Sequence, residues 1–294
     1  MKSVLGDRRA ILILLGPALL VYTLIILVPI LWSLGYTFFS GSIVSGFTFA
    51  GFSNFVKFFQ DPTAWSAVLF TIKYAVVVTV GQVLIGYLFA LLYQFVLKKG
   101  SSIIRTLVFF PVVLPTVAVA LLFQQFFETA PATGPVNGLL ESVGIGGVDW
   151  FANPGSAFWV IVIMDIWRSM GFYAVLLYAG IVDIPDELVE SARIDGASGW
   201  KLIRNIILPL SLPVLLSSVI FSINGTLKVF DSVLALTNGG PGSGTTPLTL
   251  YMFQEAFTYG DYGYGSTIAF MLTILCLLVT IFIFRAQRRD LTKG

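Results

Sequence analysis

Histidine is absent from this 294-residue chain, and cysteine occurs once, as Cys276. Without histidine there is no imidazole for acid–base catalysis or for a metal site. A single cysteine, set in an apolar run, allows no disulfide within the chain. Charge is scarce: 11% of residues are Asp, Glu, Lys or Arg, where a soluble domain carries about a quarter. No G-x-x-x-x-G-K-[ST] phosphate loop occurs; Gly196 to Lys201 comes nearest and lacks the spacing,. With 57% of residues hydrophobic, too little polar material remains to cover a water-facing surface. The composition is that of a polytopic membrane protein.

What is present is a series of apolar runs. A spanning helix needs about 20 mostly apolar residues. Six runs qualify: Ala10–Tyr36, Trp65–Val96, Thr106–Phe127, Ala157–Gly180, Leu208–Phe230 and Thr267–Phe284. The expected fold is an all-α membrane protein of six transmembrane helices in a single domain, residues 1–294. Prolines at 17, 29, 111 and 115 are tolerable inside spans because neighbouring helices re-satisfy the freed carbonyls. Lys2, Arg8 and Arg9 precede the first run, as in a secretory signal. Ala10–Trp32 is longer than a signal h-region and no A-x-A pattern follows, so it reads as a retained span,.

Thirteen of the seventeen Lys and Arg residues fall at one set of span ends, among them Lys98, Arg105, Arg193, Lys201 and Arg285. By the positive-inside rule, both termini are cytoplasmic. Lys57 and Lys228 lie on the opposite side, and Lys73, able to snorkel to the surface, and Arg168 lie within spans. On that outer side, Val136, Leu139, Leu140 and Val143 recur at helical spacing and predict a short interfacial helix within Gly134–Gly146. Thr237–Thr246, rich in Gly, Pro, Ser and Thr, reads as a loop.

The fourth and fifth spans are joined by a cytoplasmic stretch, Ile181–Ile207. Pro185 suits the first turn of a helix, and Asp186 and Glu187 complement its positive end. Leu188, Ala192 and Ile194 give that helix an apolar side, and Gly196 ends it. A second short helix is expected over Ser198–Asn205, bearing Trp200 and Ile203.

The residues of this stretch read Ile184-Pro-Asp-Glu-Leu-Val-Glu190-Ser-Ala-Arg-Ile-Asp195-Gly-Ala197, then Ile207-Leu-Pro209 and Pro213. They closely resemble the EAA loop of binding-protein-dependent ABC importer permeases: Glu-Ala-Ala, then Asp-Gly-Ala, then Ile-x-Leu-Pro. The one departure in the core is Ser191 where Ala is usual. The resemblance implies a type I importer permease whose loop docks on a separate ATPase through Glu190, Ser191, Ala192, Asp195, Gly196, Ala197, Leu208 and Pro209. It implies no cofactor on this chain, with ATP and Mg on the partner. The implied partners are a second homologous permease, as a heterodimer, two ATPase subunits, an extracytoplasmic solute-binding protein and the lipid of a prokaryotic cell membrane, with no nucleic acid. Small Ala192 and Ala197 would permit close approach of the ATPase.

Phe230-Asp231, Leu236-Thr-Asn-Gly-Gly-Pro241 and Tyr262-Gly-Tyr-Gly-Ser266 are similar to segments of maltose-type and multiple-sugar permeases. So is Gly51-Phe-Ser-Asn54-Phe with Asp61-Pro-Thr-Ala-Trp65. This implies import of a carbohydrate, a disaccharide or oligosaccharide. Glycerol phosphate or another polyol-like solute is the alternative, with Lys228 or Arg168 holding a phosphate; an ion-driven secondary transporter is a further one.

Polar groups inside spans are expensive and mark cavities or partner helices. In the fifth span, Ser217, Asn224, Lys228 and then Asp231 are spaced to share one helical stripe. Asn224, Lys228, Phe230 and Asp231 are therefore candidates for the solute path, with Trp167 and Arg168 of the fourth span. The same residues also suit hydrogen bonds between helices. Asp165 and Arg168, three apart, are placed to pair.

Overall fold

The computed structural model describes residues 8–97, 100–129 and 133–291, most of them helical. Among the described residues, five helices are long and apolar enough to cross a membrane: Ile11–Tyr36, Pro62–Val96, Pro154–Val182, Gly199–Thr226 and Tyr262–Arg285. The run expected as the third span, Thr106–Phe127, falls on two helices, Ser101–Val113 and Thr116–Phe126, bent by 97°. Pro115 is the cause. Its ring excludes the helical conformation from the preceding residue, and Leu114 is extended (φ −71°, ψ 140°). Pro111, by contrast, stays inside its helix.

Two other prolines are passed without a break. Thr23–Leu27, before Pro29, and Ile203–Ile207, before Pro209, are π-helical. A widened turn shifts the ladder where the proline has no N–H to give. Continuity through the second π segment changes the expected loop. Gly199–Leu202 is no separate helix; it is the first turn of the Gly199–Thr226 helix.

The chain divides into two compact units. The first comprises residues 1–64 and 251–274. It holds the first apolar helix, a two-stranded antiparallel hairpin (β1, Phe39–Ser42; β2, Gly46–Phe49) and the amphipathic helix Ser53–Gln60. Asp61 accepts hydrogen bonds from the hydroxyls of Tyr251 and Tyr264, the latter at 2.6 Å. Lys57 Nζ pairs with Asp261 at 3.1 Å and stands 3.7 Å from the centre of the Tyr264 ring.

The second unit comprises residues 65–250 and 275–294. Its helices enclose two apolar clusters. One gathers Phe70, Tyr74, Phe123, Phe158, Met164 and Leu236; the other gathers Tyr87, Tyr173, Leu177, Ala192, Leu202 and Ile207. The short helix Pro135–Ser142 forms where expected. Buried Asn137 anchors it, donating to the carbonyls of Glu128 and Val148 and accepting from Val148 N and Trp150 Nε1.

Candidate functional site

The loop between the Pro154–Val182 and Gly199–Thr226 helices folds as its residues dictate. Asp186–Ile194 is helical, with Asp186 and Glu187 in the first turn and Arg193 in the last, each charge matching the helix dipole,. Gly196 ends it in the left-handed region at φ +87°. Its N–H bonds the Arg193 carbonyl at 3.0 Å, and the Ala197 N–H reaches back to Ala192 O at 2.8 Å. That pair of bonds is the Schellman motif, which satisfies carbonyls left open at a helix end.

Burial sorts the loop into two faces. Ala192 is buried in the chain's own second cluster, with Val189 packed against it. Ala192 was expected to permit close approach of an ATPase; here its small side chain serves packing within the chain. Leu188 and Ile194, expected to share an apolar side with Ala192, are exposed, Ile194 at 87%. Glu190, Ser191, Asp195 and Gly196 are exposed, Ala197 half-buried. Trp200 is also exposed, at 70%. Three apolar side chains, Leu188, Ile194 and Trp200, are therefore exposed on the same loop as the acidic groups. Leu208, half-buried, and Pro209, exposed, follow in the next helix.

A cavity of about 260 Å³ opens inside the second unit, lined by Tyr74, Gln82, Asp165, Arg168, Ser169, Lys228, Phe230 and Asp231 among others. Asp165 is buried, and its Oδ2 accepts from the Tyr74 hydroxyl at 2.5 Å. Arg168 Nε stands 3.6 Å from Asp165 Oδ1, as the spacing of three predicts. That is an ion pair without a hydrogen bond, and among the described residues neither atom has a hydrogen-bond partner. Ser169 Oγ lies 2.5 Å from Gln82 Oε1; Gln82 Nε2 donates to Ser222, and Ser222 Oγ donates to Thr79 Oγ1 at 2.8 Å. Three spans are thus joined by hydroxyls and one amide beside the cavity.

Of the six path candidates, four come together there: Arg168, Lys228, Phe230 and Asp231. Two do not. Trp167 packs on Phe123, ring centres 5.8 Å apart. Asn224 donates to Ile220 O at 2.9 Å and accepts from Thr280 Oγ1 at 3.3 Å, so its amide is spent on helix contacts. The expected continuous stripe is broken because the helix ends at Thr226, Phe230 leaves helical geometry (φ −143°, ψ −64°) and a new helix starts at Asp231. Among the described residues, no ion pair joins Lys228 to Asp231. Tyr74, Gln82 and Ser169 were missed. Gln82 carried a signal, a lone amide in an apolar span.

Chemically, the cavity offers hydroxyls, an amide, two cations, two carboxylates and the aromatic rings of Tyr74, Tyr173 and Phe230. These suit reversible hydrogen bonding to a polar solute. Among the described residues, no group of three or more His, Cys, Asp or Glu is placed to hold a metal.

The family described as binding-protein-dependent transport system inner membrane component matches residues 82–290. The chain belongs to that family. Among relatives of this inner membrane component, the sulfoquinovosyl glycerol transport system permease protein of Agrobacterium fabrum is 34% identical, over 97% of this chain and 92% of its own. The trehalose/maltose transport system permease protein of Thermococcus litoralis is 35% identical over 82% and 80%. A subunit of a bacterial alginate ABC transporter, solved in complex with an alginate pentasaccharide-bound periplasmic protein, has the same fold: TM-score 0.87, 23% identity, 98% of this chain and 97% of that one. The chain is thus a permease with the importer fold, its apolar helices those of a membrane protein.

Proposed function

We propose that this chain is one membrane subunit of an ATP-driven importer that takes up a disaccharide or oligosaccharide handed over by an extracytoplasmic binding protein. The observation that carries the reading is the family match over residues 82–290, joined to relatives named for glycoside transport along 97% and 82% of this chain. In this reading ATP, with Mg, is hydrolysed on two separate ATPase subunits, and this chain binds no cofactor. A second, homologous permease completes a heterodimer in a prokaryotic cell membrane. Residues 1–294 act as one permease domain of six spans, the bent pair Ser101–Phe126 counting as the third, with both termini cytoplasmic as the Lys and Arg bias requires.

Two groups of residues carry the roles. Glu190, Ser191, Ala192, Asp195, Gly196, Ala197, Leu208 and Pro209 form the ATPase-coupling region: the exposed Glu190, Ser191, Asp195, Gly196 and Pro209 meet the ATPase, and Ala192, Ala197 and Leu208 pack beneath them in the second cluster. Arg168, Lys228, Phe230 and Asp231 face the solute, with Trp167 and Asn224 supporting them.

The test is uptake of radiolabelled disaccharide into vesicles carrying all subunits. Uptake should require internal ATP and loaded binding protein. Glu190→Lys should leave insertion intact and lower uptake about tenfold, the equivalent of losing one charge-assisted pair at about 1.4 kcal/mol. Uptake driven by an ion gradient without ATP would overturn the reading, and uptake of glycerol phosphate in place of glycosides would replace the substrate class.

A further inference from the structure

From Ala10 to Val56 the chain has no charged residue. The helix Ile11–Tyr36 already supplies the length a bilayer core requires,. The stretch beyond it is uncharged as well, where an aqueous loop of ordinary composition would be about a quarter charged. This stretch is folded. In the β1–β2 hairpin, Phe39 stands opposite Phe49 and Gly41 opposite Phe47, while Ser40 stands opposite Thr48. Alternation along the strands puts aromatic rings on one face and hydroxyls on the other. At the tip, Ile43 and Val44 are 74% and 97% exposed.

The hairpin is fixed in place. Asn54 Nδ2 donates to the carbonyls of Thr37 and Phe39, both at 2.9 Å. At Gly263 a β-carbon would stand 1.7 Å from Phe39 O, so only glycine admits the strand there. Phe47 packs on Tyr36, ring centres 4.7 Å apart. The aromatic face therefore continues the apolar surface of the first helix, which the chain itself leaves unburied.

We propose that this hairpin is a membrane-interface anchor, its aromatic face and Ile43–Val44 tip seated in the headgroup boundary of the bilayer where the first span ends. Two observations favour lipid as the occupant: the absence of charge along a stretch that continues an unburied apolar helix, and rings concentrated at one end of a span, the position of an aromatic belt. The side of the membrane rests on the topology proposed above.

The experiment uses the full chain in vesicles of phosphatidylcholine and phosphatidylglycerol. Cys276→Ser removes the native thiol. Val44→Cys or Thr48→Cys then receives an environment-sensitive nitrobenzoxadiazole label. Label at position 44 should emit blue-shifted light, be quenched by lipids spin-labelled near the headgroup and resist aqueous iodide; label at 48, on the hydroxyl face, should be open to iodide. Iodide quenching at 44 with no response to the spin-labelled lipids overturns the anchor. So does shielding at 44 that appears only when a partner subunit or a binding protein is added, which would make the tip a protein-docking surface. Bleaching with impermeant dithionite reports the side, so an inverted topology is read separately from a failed anchor.

Discussion

Gly196 and Gly138 both have room for a β-carbon, with nothing within 4 Å, yet substitution at the two should act in opposite directions. Gly196 sits at φ +87°, where an L-residue costs about 1–2 kcal/mol. Gly138 lies inside the Pro135–Ser142 helix, where Ala is favoured by about 0.5–1 kcal/mol. Thermal unfolding in detergent should show Gly196→Ala less stable and Gly138→Ala more stable than the parent. A second contrast lies at Asp165. Arg168→Met strands a buried carboxylate; with the Arg side chain 28% exposed, the loss should be about 2 kcal/mol, below the 3–5 of fully buried pairs. Asp165→Asn in the same chain should restore most of it, and a double variant as unstable as the single one would show that Arg168 acts by packing alone. Outside the spans, burial pushes the Asp61 carboxyl up, but hydrogen bonds from Tyr251, Tyr264 and the N–H groups of Thr63 and Ala64 together bring it below its ordinary value. Because the folded value lies below the unfolded one, Asp61 stabilises the fold above about pH 4 and stops doing so as pH falls through the folded value. Asp61→Asn should therefore lower the unfolding temperature at pH 7, and the difference from the parent should shrink as the pH is lowered through the acid range.

Among the elements, the Pro135–Ser142 helix depends most on one side chain. Asn137→Ala leaves the Val148 N–H and the Trp150 indole N–H without the amide oxygen they share, each at about 1–3 kcal/mol if it stays buried, and takes one of two donors from the Glu128 and Val148 carbonyls. Limited proteolysis should then cut between Glu128 and Trp150 while the apolar helices remain protected; an unchanged cleavage pattern would mean that water replaces the amide. This helix was readable because its apolar residues keep helical spacing, whereas the clamp that holds it was not, since Asn137 bonds to residues 8 to 13 positions away. Pro115 teaches the same distinction. Its sequence neighbourhood shows that a helix is under strain there, but Pro111, four residues earlier, is absorbed without a break. Which proline bends the chain is set by the packing around it.

For the whole molecule, the bent pair decides the topology. Reporter fusions after Gly100, Gly146, Asn205 and Gly260 should alternate inside, outside, inside, outside. If Ser101–Phe126 re-entered the membrane from one face, Gly100 and Gly146 would report the same side and the six-span reading would fall. The apolar runs, the cationic bias and the loop from Ile184 to Pro213 were all legible from the sequence alone. Each rests on local composition or on identities close together in the chain, and a membrane core with no water to satisfy backbone groups leaves an apolar run little alternative to a helix. The cavity was not legible in the same way. Tyr74 and Gln82 come from one helix, Asp165 from a second and Lys228 from the turn after a third, and only the packing of these elements puts them around one space. Asn224 shows the converse: its position on a helix was readable, but Thr280, 56 residues on, takes its amide oxygen. Helical periodicity tells which residues share a face; what that face meets is decided by the other helices, through contacts that no local pattern records.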